Sequence, residues 1–161
     1  MANITQEFSG SFRELYFRPT VCTAAETADA STWFDAATSV LVPAVAEMGT
    51  VGNESNIIEV AAFGDAFKRK LAGQSDAGSI DASLFWAPRD AVHLALRAAA
   101  TSKIPMSIGI KWKSDAAGTD AEYVIFNGFV SSFSIETGFD DVVKASCTIA
   151  INGATHFDSE D

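Results

Sequence analysis

The sequence predicts a mainly β fold: a small β-sandwich or barrel with one flanking α-helix, a long early loop and terminal arms. Three observations indicate this. Apolar and polar residues alternate through the second half of the chain, and a single stretch carries a helical apolar stripe. The length of 161 residues, with 48% hydrophobic and 20% charged residues, fits one domain spanning 1–161 with its own core.

The first forty residues contain little regular pattern. Residues 1–12 are predicted to form an N-terminal arm, followed by a strand in which Leu15 and Phe17 alternate with polar neighbours. Residues 20–39 are rich in Ala, Thr, Ser and Asp, and we interpret them as a long surface loop. Loops longer than about 12–15 residues are uncommon in compact domains and are often functional.

The next segment alternates between strands and breaks. Residues 40–48 predict a strand in which Pro43 indicates an edge or a bulge. A second strand is predicted over 56–63. Residues 64–73 are compatible with a short helix or with an irregular edge, and Gly73 to Gly78 form a turn cluster.

The clearest strand pattern and the one predicted helix come next. Ser79 to Trp86 alternate strictly, which is typical of a half-buried strand. Pro88 suits the first turn of a helix, and Asp90 suits its positive N-terminal end. The helix is predicted over 89–100, with an apolar stripe of Val92, Ala95, Leu96 and Ala99.

Everything after the helix is predicted to be β. Strands are expected over 104–112, 123–126, 129–136 and 143–151, with Gly128 allowing a bend, before an acidic C-terminal tail over 154–161. The second faces of these strands are small and polar, so the sheet should meet water on one side. The apolar residues predicted to form one buried core are Leu84, Trp86, Val92, Leu96, Ile108, Ile110, Phe133, Ile149 and Ile151.

Charge and cysteine content exclude several classes of protein. The formal net charge is −10, the opposite of what a protein needs to grip nucleic acid or anionic lipid. No apolar run reaches the length of a membrane span, and the start of the chain does not resemble a secretory signal. Cys22 and Cys147 do not form a disulfide framework, and we expect both to be reduced thiols.

Motifs for catalysis or metal binding are not found in the sequence. His93 and His156 have no partners at metal-ligand spacing, and the acidic loop 115–122 lacks the spacing of a Ca²⁺ loop. Neither a phosphate-binding glycine loop nor a nucleophile elbow occurs. We therefore predict no catalytic residue, no cofactor and no metal. A small hydrolase or Ca²⁺-dependent enzyme would need a catalytic set that is missing.

An ordered series of segments runs through residues 55–155. Ile57 to Val60, Phe67 to Gly73 and the strand from Ile80 to Trp86 come first. The strand Phe-Val-Ser-Ser-Phe at 129–133 follows, and then Val-Val-Lys-Ala-Ser-Cys-Thr-Ile at 142–149 and a terminal Asn-Gly. In this order the segments resemble the lambda-type tail tube (major tail) proteins of long-tailed bacteriophages, and the last two strands are the most specific part. The alternative is a monomeric β-sandwich binding or adhesin module, which would carry aromatic residues clustered on exposed loops; Trp33 with Phe34 is the only such cluster that the sequence predicts.

The resemblance implies a structural, non-enzymatic subunit that forms rings of six, which stack into a hollow tube for genome passage. It implies as partners the chain's own copies, a tape measure protein, the tail tip or baseplate and a tail terminator. Contact with genomic DNA would be transient and weak, and no membrane would be involved. The protein would reside in the virion tail, and in the host cytoplasm during assembly.

Strand alternation then assigns residues to two surfaces. Exposed strand edges are templates for pairing, and an edge-to-edge contact whose rotation closes generates a ring. The residues expected to face the channel are Glu59, Asp81, Ser132, Ser134 and Glu136, with Glu47 and Glu122 as further candidates. The residues expected in stacking between rings are Val21, Trp33, Phe34, Lys68, Arg69 and Lys70.

Overall fold

The computed structural model describes residues 13–61, 67–113, 121–138 and 141–159, and the fold is mainly antiparallel β. The N-terminal arm and most of the acidic loop 115–122 lie outside the described residues. The strands of the described part are β1 (Arg13–Arg18), β2 (Val40–Leu41), β3 (Val45–Met48), β4 (Glu54–Val60), β5 (Arg69–Asp76), β6 (Ser79–Phe85), β7 (Met106–Lys113), β8 (Ala121–Glu136), β9 (Lys144–Ile151) and β10 (His156–Ser159). Its helices are α1 (Ala24–Ala28), α2 (Ala30–Asp35) and α3 (Ala91–Ser102).

One eight-stranded sheet organises the subunit. Its strand order is β2-β1-β7-β8-β9-β6-β3, and β10 also pairs with β8. The sheet is not a closed barrel, and its two halves meet at β8 as in a small sandwich. The predicted fold class is therefore confirmed.

Strand β8 is a single element of 16 residues that serves both halves of the sheet. Its first half pairs with β7 and β10, and its second half pairs with β9. Two separate strands were predicted here, and that prediction is wrong. Gly128 is the residue at which pairing with β7 ends and pairing with β9 begins. A Cβ on this residue would lie 2.6 Å from the carbonyl oxygen of Ala150, so glycine lets β9 approach without interrupting β8.

The core between the two halves agrees with the prediction from alternation. Leu84, Leu96, Ile108, Ile110 and Ile149 are buried in one cluster. Trp86, Val92, Phe133 and Ile151 pack against it as partly buried residues. The predicted register of these strands is therefore correct.

Helix α3 closes one side of this core. The Asp90 side chain is its N-cap and accepts hydrogen bonds from the backbone N–H groups of Val92 and His93. Lys103 ends the helix in the left-handed conformation. The buried positions are His93 and Leu96, whereas Ala95, predicted to lie in the apolar stripe, is exposed.

The predicted surface loop over residues 20–39 is wrong in its central part, which forms α1 and α2. Thr23 and Glu26 make a reciprocal capping box at the start of α1, and Asp29 caps α2. Both helices are short, so they depend on packing against the sheet rather than on helix propensity. The Ala, Thr, Ser and Asp content suggested a loop because these residues favour both caps and turns.

The predicted acidic tail over 154–161 is also wrong for most of its length. Thr155 is buried, and residues 156–159 form β10 against the first half of β8. The side chain of Asp158 accepts a hydrogen bond from the backbone N–H of Ala30, which ties β10 to α2. Tertiary pairing stabilises this strand despite its polar composition.

Strands β4 and β5 form a separate two-stranded ribbon, called the ribbon below. Residues 69–73, for which a short helix was an alternative, belong to β5, and Gly73 to Asp76 are strand rather than turn. Every residue of β4 is exposed, and in β5 only Gly73 is not. In the described part of the chain, no helix is long and apolar enough to cross a membrane.

Candidate functional site

A polar face covers the outside of β3, β6, β9 and the second half of β8. Cross-strand pairing arranges its side chains in three rows, because residues directly opposite one another in antiparallel strands point to the same side. The rows are Asp81–Thr148–Ser132, Glu47–Ser83–Ser146–Ser134 and Phe85–Lys144–Glu136. We call this surface the polar face.

Small hydroxyl side chains dominate the polar face. The Asp81 carboxylate accepts a hydrogen bond of 2.6 Å from the Thr148 hydroxyl, which links β6 to β9 across the first row. A bulge between Val130 and Ser132 lets Ser131 donate its hydroxyl to the carbonyl oxygen of Thr148. The result is a smooth surface with few long side chains.

The charge of the polar face is mostly negative. Glu47, Asp81 and Glu136 carry carboxylates, and all three are exposed. The single lysine of the three rows, Lys144, lies opposite Glu136 in the register, so its charge is locally offset. Such a face repels a polyanion at short range and offers it little to bind.

The reverse side of these four strands is the core. Ala82, Leu84, Ala145 and Cys147 alternate with the polar residues and are buried. Burial, together with the nearby Asp81 carboxylate, raises the pKa of the Cys147 thiol to about 11. The thiol stays protonated at neutral pH, so this residue acts as a small apolar core residue, in agreement with the prediction of a free thiol.

The structure brings four of the five predicted channel residues together. Asp81, Ser132, Ser134 and Glu136 share the polar face, whereas Glu59 lies on the ribbon. There its carboxylate contacts the ammonium groups of Lys68 at 3.3 Å and Lys70 at 4.0 Å. Glu59 therefore belongs with the basic residues predicted for stacking.

Two further residues complete the description of the predicted channel set. Glu47 lies on the polar face, opposite Ser83. Glu122 pairs with Ser159 of β10 and with Trp112 of β7, outside the three rows. The sequence signal for Ser83, Ser146 and Thr148 was their alternation with core residues, but only the register between strands shows which rows they join.

The ribbon presents apolar side chains to solvent. Ile58 and Leu71 lie opposite each other and are 49% and 55% exposed, and Ile57 on the other face is 60% exposed. The basic residues Lys68, Arg69 and Lys70 occupy the far end of the ribbon, away from its connections to the sheet. An isolated two-stranded ribbon is marginally stable in water, so these apolar faces indicate a contact outside the subunit.

Trp33 is not available for stacking between rings, because its side chain is fully buried within the subunit. Its indole N–H donates a 2.9 Å hydrogen bond to the hydroxyl of Ser107. Gly109 makes room for it: a Cβ at this position would lie 2.3 Å from the Trp33 ring and 2.7 Å from that of Phe34. The prediction that Trp33 lies on a surface loop is therefore wrong.

Phe34 and Val21 are placed differently. Phe34 is half-buried, with ring contacts to Tyr16 at 5.2 Å and Tyr123 at 5.0 Å, whereas Val21 remains 48% exposed. Together, Tyr16, Trp33, Phe34 and Tyr123 form what we call the aromatic cluster. The cluster packs on the outer face of β1, β7 and β8. Trp33 and Phe34 therefore do not form the exposed aromatic surface that an adhesin or binding module would require.

An ion pair between buried Arg18 and half-buried Glu26 holds α1 over the end of β1. The Arg18 guanidinium donates two hydrogen bonds to the Glu26 carboxylate, at 2.6 and 2.8 Å, and lies 5.5 Å from the Trp33 ring centroid. These bonds from Arg18 lower the pKa of Glu26 to about 2. The pair is a structural feature that sequence reasoning missed, since its members are eight residues apart in a segment predicted to be a loop.

Metal-binding arrangements are absent from the described residues. No group of three or more His, Cys, Asp or Glu side chains is placed to hold an ion there. The acidic loop 115–122 lies largely outside those residues, so the expectation that it does not bind Ca²⁺ stays a prediction.

Several solved structures from phage tails and tail-like particles share this fold. The tail tube of SPP1 matches with a TM-score of 0.65 and 17% identity, covering 96% of this chain and 80% of that one. The tail of an empty gene transfer agent particle matches at 0.64 and 10%, covering 94% and 99%. The tube-terminating cap of the anti-feeding prophage matches at 0.72 and 14%, covering 99% and 96%.

Sequence comparison gives the family directly. No curated protein matches the chain. The family model for phage tail tube proteins of the lambda-like type matches residues 24–160, which is most of the chain. This match includes α1, α2, the ribbon and the whole polar face. The chain therefore belongs to the lambda-like phage tail tube family, and it is a structural protein of the tail tube of phage-like particles rather than an enzyme.

Proposed function

We propose that this subunit forms rings of six that stack into a hollow tube, with the polar face lining the channel through which the genome passes. The observation that carries the proposal is the polar face itself: four strands whose one side is core and whose other side is small, hydroxyl-rich and acidic. An uncovered sheet face of this kind suits contact with water and a passing polyanion.

The strands under the polar face end at two edges that suit pairing with other copies. Strand β3 is the last strand on its side of the sheet. On the other side, β7 pairs with β8 only as far as Gly128, so no described strand covers the second half of β8 on that edge. Pairing β3 of one copy with this half of β8 in the next would be a head-to-tail contact, which closes into a ring.

The number six is supported by relatives of the same fold. The gene transfer agent tail was treated with C6 symmetry, and the baseplate of the anti-feeding prophage with 6-fold symmetry. Six copies of the polar face would form a continuous acidic wall. At physiological salt the screening length is about 8 Å, so wall carboxylates repel DNA only at close range.

The ribbon is the proposed contact between stacked rings. Burial of its exposed apolar residues against another subunit would be favourable. The positive charge at its far end complements a chain whose net charge is −10. A second copy of the same chain supplies both an apolar and an acidic surface. We place Lys68, Arg69, Lys70 and Glu59 in this contact, with exposed Val21 and half-buried Phe34 as further candidates.

The partners in the wider assembly are proposed by analogy with the family. We propose a tape measure protein, a tail tip or baseplate and a tail terminator as partners, and transient contact with DNA. Two solved structures with this fold are described as a tube-terminating cap and as a sheath/tube terminator. The subunit would be made in the host cytoplasm and end in the virion tail.

Reversing the charge of the polar face tests its role. In virions carrying Asp81→Lys and Glu136→Lys, the basic wall should bind phosphates and slow genome ejection at low salt, with recovery at high salt. Asp81→Lys removes the hydrogen bond from Thr148 and Glu136→Lys puts a like charge opposite Lys144, so each should cost about 1 kcal/mol of the free energy of unfolding and leave the subunit folded. The measurement is the ejection rate over a series of salt concentrations.

The matched control is Asp35→Lys with Asp141→Lys, because both carboxylates are exposed and lie outside the three rows. This pair makes the same change in net charge and should eject its genome at the normal rate. Normal ejection by the Asp81→Lys, Glu136→Lys virions at every salt concentration would show that the polar face does not line the channel.

A further inference from the structure

The second half of β8 has a strand edge that the described part of the subunit leaves uncovered. Pairing between β7 and β8 ends where Met106 lies opposite Gly128. Beyond Gly128, β8 continues to Glu136, and β9 is its neighbour on one side. An uncovered edge exposes backbone N–H and C=O groups that can pair with another extended chain, so soluble proteins protect such edges.

A bulge interrupts this part of β8. The register between β8 and β9 shifts between Val130 and Ser132, so Ser131 has no partner on β9. The hydroxyl of Ser131 donates a 3.0 Å hydrogen bond to the carbonyl oxygen of Thr148. Bulges bend a strand and disrupt its ladder locally, so a flat strand cannot pair along this whole edge without a break.

Lys103 contacts the bulge from the uncovered side. It lies three residues before Met106, and Ser131 lies three residues after Gly128, so an extension of β7 would bring the two level with each other. Lys103 is instead the C-cap of α3, with a φ of 52°, and residues 103–105 are not strand. Its exposed side chain reaches β8, where Nζ donates a 3.3 Å hydrogen bond to the carbonyl oxygen of Ser131. The ammonium group therefore occupies a backbone acceptor beside the space for a further strand.

The opposite edge of this part of the sheet, β3, is protected differently. Strand β3 has four residues, and its register with β6 shifts between Val45 and Glu47, so Ala46 has no partner. Short edge strands and bulges both limit pairing with foreign chains. Among the described residues, no lysine bonds to the backbone of β3. Of the two edges, the β8 edge is therefore the one at which a charged side chain has to move before another strand pairs.

We propose that Lys103 is an edge guard, which keeps the second half of β8 unpaired in the free subunit and leaves Ser131 when a strand of a neighbouring copy binds there. A lysine ammonium group is compact and strongly hydrated, so covering it with an incoming strand is unfavourable unless it moves back into water. Its bond to Ser131 is exposed, so a backbone N–H can replace it. That the incoming strand is β3 rests on the function proposed above. The guard then raises the protein concentration at which rings form.

Lys103→Met tests the guard, because methionine keeps an unbranched side chain and lacks the ammonium group. The purified variant should form tubes at a protein concentration about fivefold lower than the wild type, the factor expected when one hydrogen bond per joint no longer has to be displaced. Light scattering and negative-stain electron microscopy measure this threshold. Lys103→Arg keeps the charge and should need the wild-type concentration. Lys111→Met is the matched control for the lost charge, because β7 has a paired strand on each side of Lys111.

An unchanged or higher threshold for Lys103→Met would overturn the guard. A lysine that only tethered α3 to β8 would give that result together with a lower free energy of unfolding. Hydrogen exchange in wild-type tubes forms a separate arm, because it reports whether the amides of residues 129–136 become paired on assembly. If they gain no protection while Lys103→Met lowers the threshold, the guard stands and the proposed pairing of β3 with β8 fails.

Discussion

The aromatic cluster and the ribbon both contain large apolar side chains that lie outside the main core. The rest of the subunit covers the side chains of the aromatic cluster but leaves those of the ribbon exposed to solvent. On the outer face of β1, β7 and β8, helices α1 and α2 bring Trp33 and Phe34 onto the sheet, and Trp33 is fully buried. On the ribbon, Ile57, Ile58 and Leu71 remain about half exposed or more.

The difference shows which surface the subunit completes by itself. The aromatic cluster is fixed by specific contacts, including the Trp33–Ser107 hydrogen bond, the Arg18–Glu26 ion pair and the space over Gly109. The ribbon is held by its own strand pairing, by a hydroxyl hydrogen bond between Ser55 and Ser75 and by exposed ion pairs of Glu59 with Lys68 and Lys70. Exposed ion pairs contribute little stability. Substitutions in the cluster should therefore affect folding, and substitutions in the ribbon should affect assembly.

The largest effect is expected from Gly109→Val. Any Cβ at this position overlaps the Trp33 ring at 2.3 Å, so the ring must leave its site. Loss of a buried tryptophan typically costs about 3–5 kcal/mol of the free energy of unfolding. Denaturant unfolding measures this loss. Gly52→Val is the control, because a Cβ there meets no atom within 4 Å; equal losses in the two variants would contradict the described packing.

A smaller effect is expected from Glu26→Gln. The substitution leaves the Arg18 guanidinium, whose side chain is only 6% exposed, without its charged partner, at a cost of about 3 kcal/mol near neutral pH. The folded-state pKa of Glu26, about 2, lies below its ordinary value of 4.5. Its stabilising contribution is therefore complete above about pH 4.5 and is lost as the pH falls towards about 2.

The measurement is the difference in unfolding free energy between the wild type and Glu26→Gln as a function of pH. This difference should shrink on acidification through that range. Glu59→Gln removes a carboxylate from an exposed pair and should cost at most about 1 kcal/mol. A constant difference across the acid range would mean that Glu26 is not held ionised by Arg18.

The smallest effect on folding is expected from Ile58→Ser with Leu71→Ser in the ribbon. Both side chains are exposed, so the stability of the free subunit should change by about 0.5 kcal/mol or less per site. Tube formation, followed by negative-stain electron microscopy, should nevertheless be strongly reduced, because the apolar contact between rings is removed. Normal tubes from this double variant would show that the ribbon is not a stacking element.

Alternation was sufficient wherever one face of a strand is core. The strands from Ser79 to Phe85 and from Lys144 to Ile151 were predicted in the correct register, because a shift of one residue would place Leu84 or Ile149 in water. The same period placed Asp81, Ser132, Ser134 and Glu136 on the opposite side. The alternation did not predict the position of Glu59. Both faces of the ribbon are exposed, so the alternation of apolar and polar residues there does not indicate which side is buried.

The segment 20–39 shows a different limit. Its two helices have five and six residues, too short for a periodic stripe, and they exist because Trp33 enters a space that Gly109 leaves in a strand far along the chain. The polar residues 156–159 likewise become a strand only because the first half of β8 has an unpaired edge there. The local signals for the two helices are limited to their caps, Thr23 with Glu26 and Asp29, which are residue types that turns also favour. Strand β10 has no local signal in the sequence.

The sequence by itself determined the class of fold, the helix α3, the buried faces of the long strands and the acidic character of the chain, because burial and charge follow from local residue pattern. The tertiary structure alone decided which polar residues share a face, which aromatic residues are covered and which apolar residues are left for a partner. Those outcomes depend on the register between strands and on close approaches between residues remote in sequence, such as Gly109 with Trp33 and His93 with Pro43.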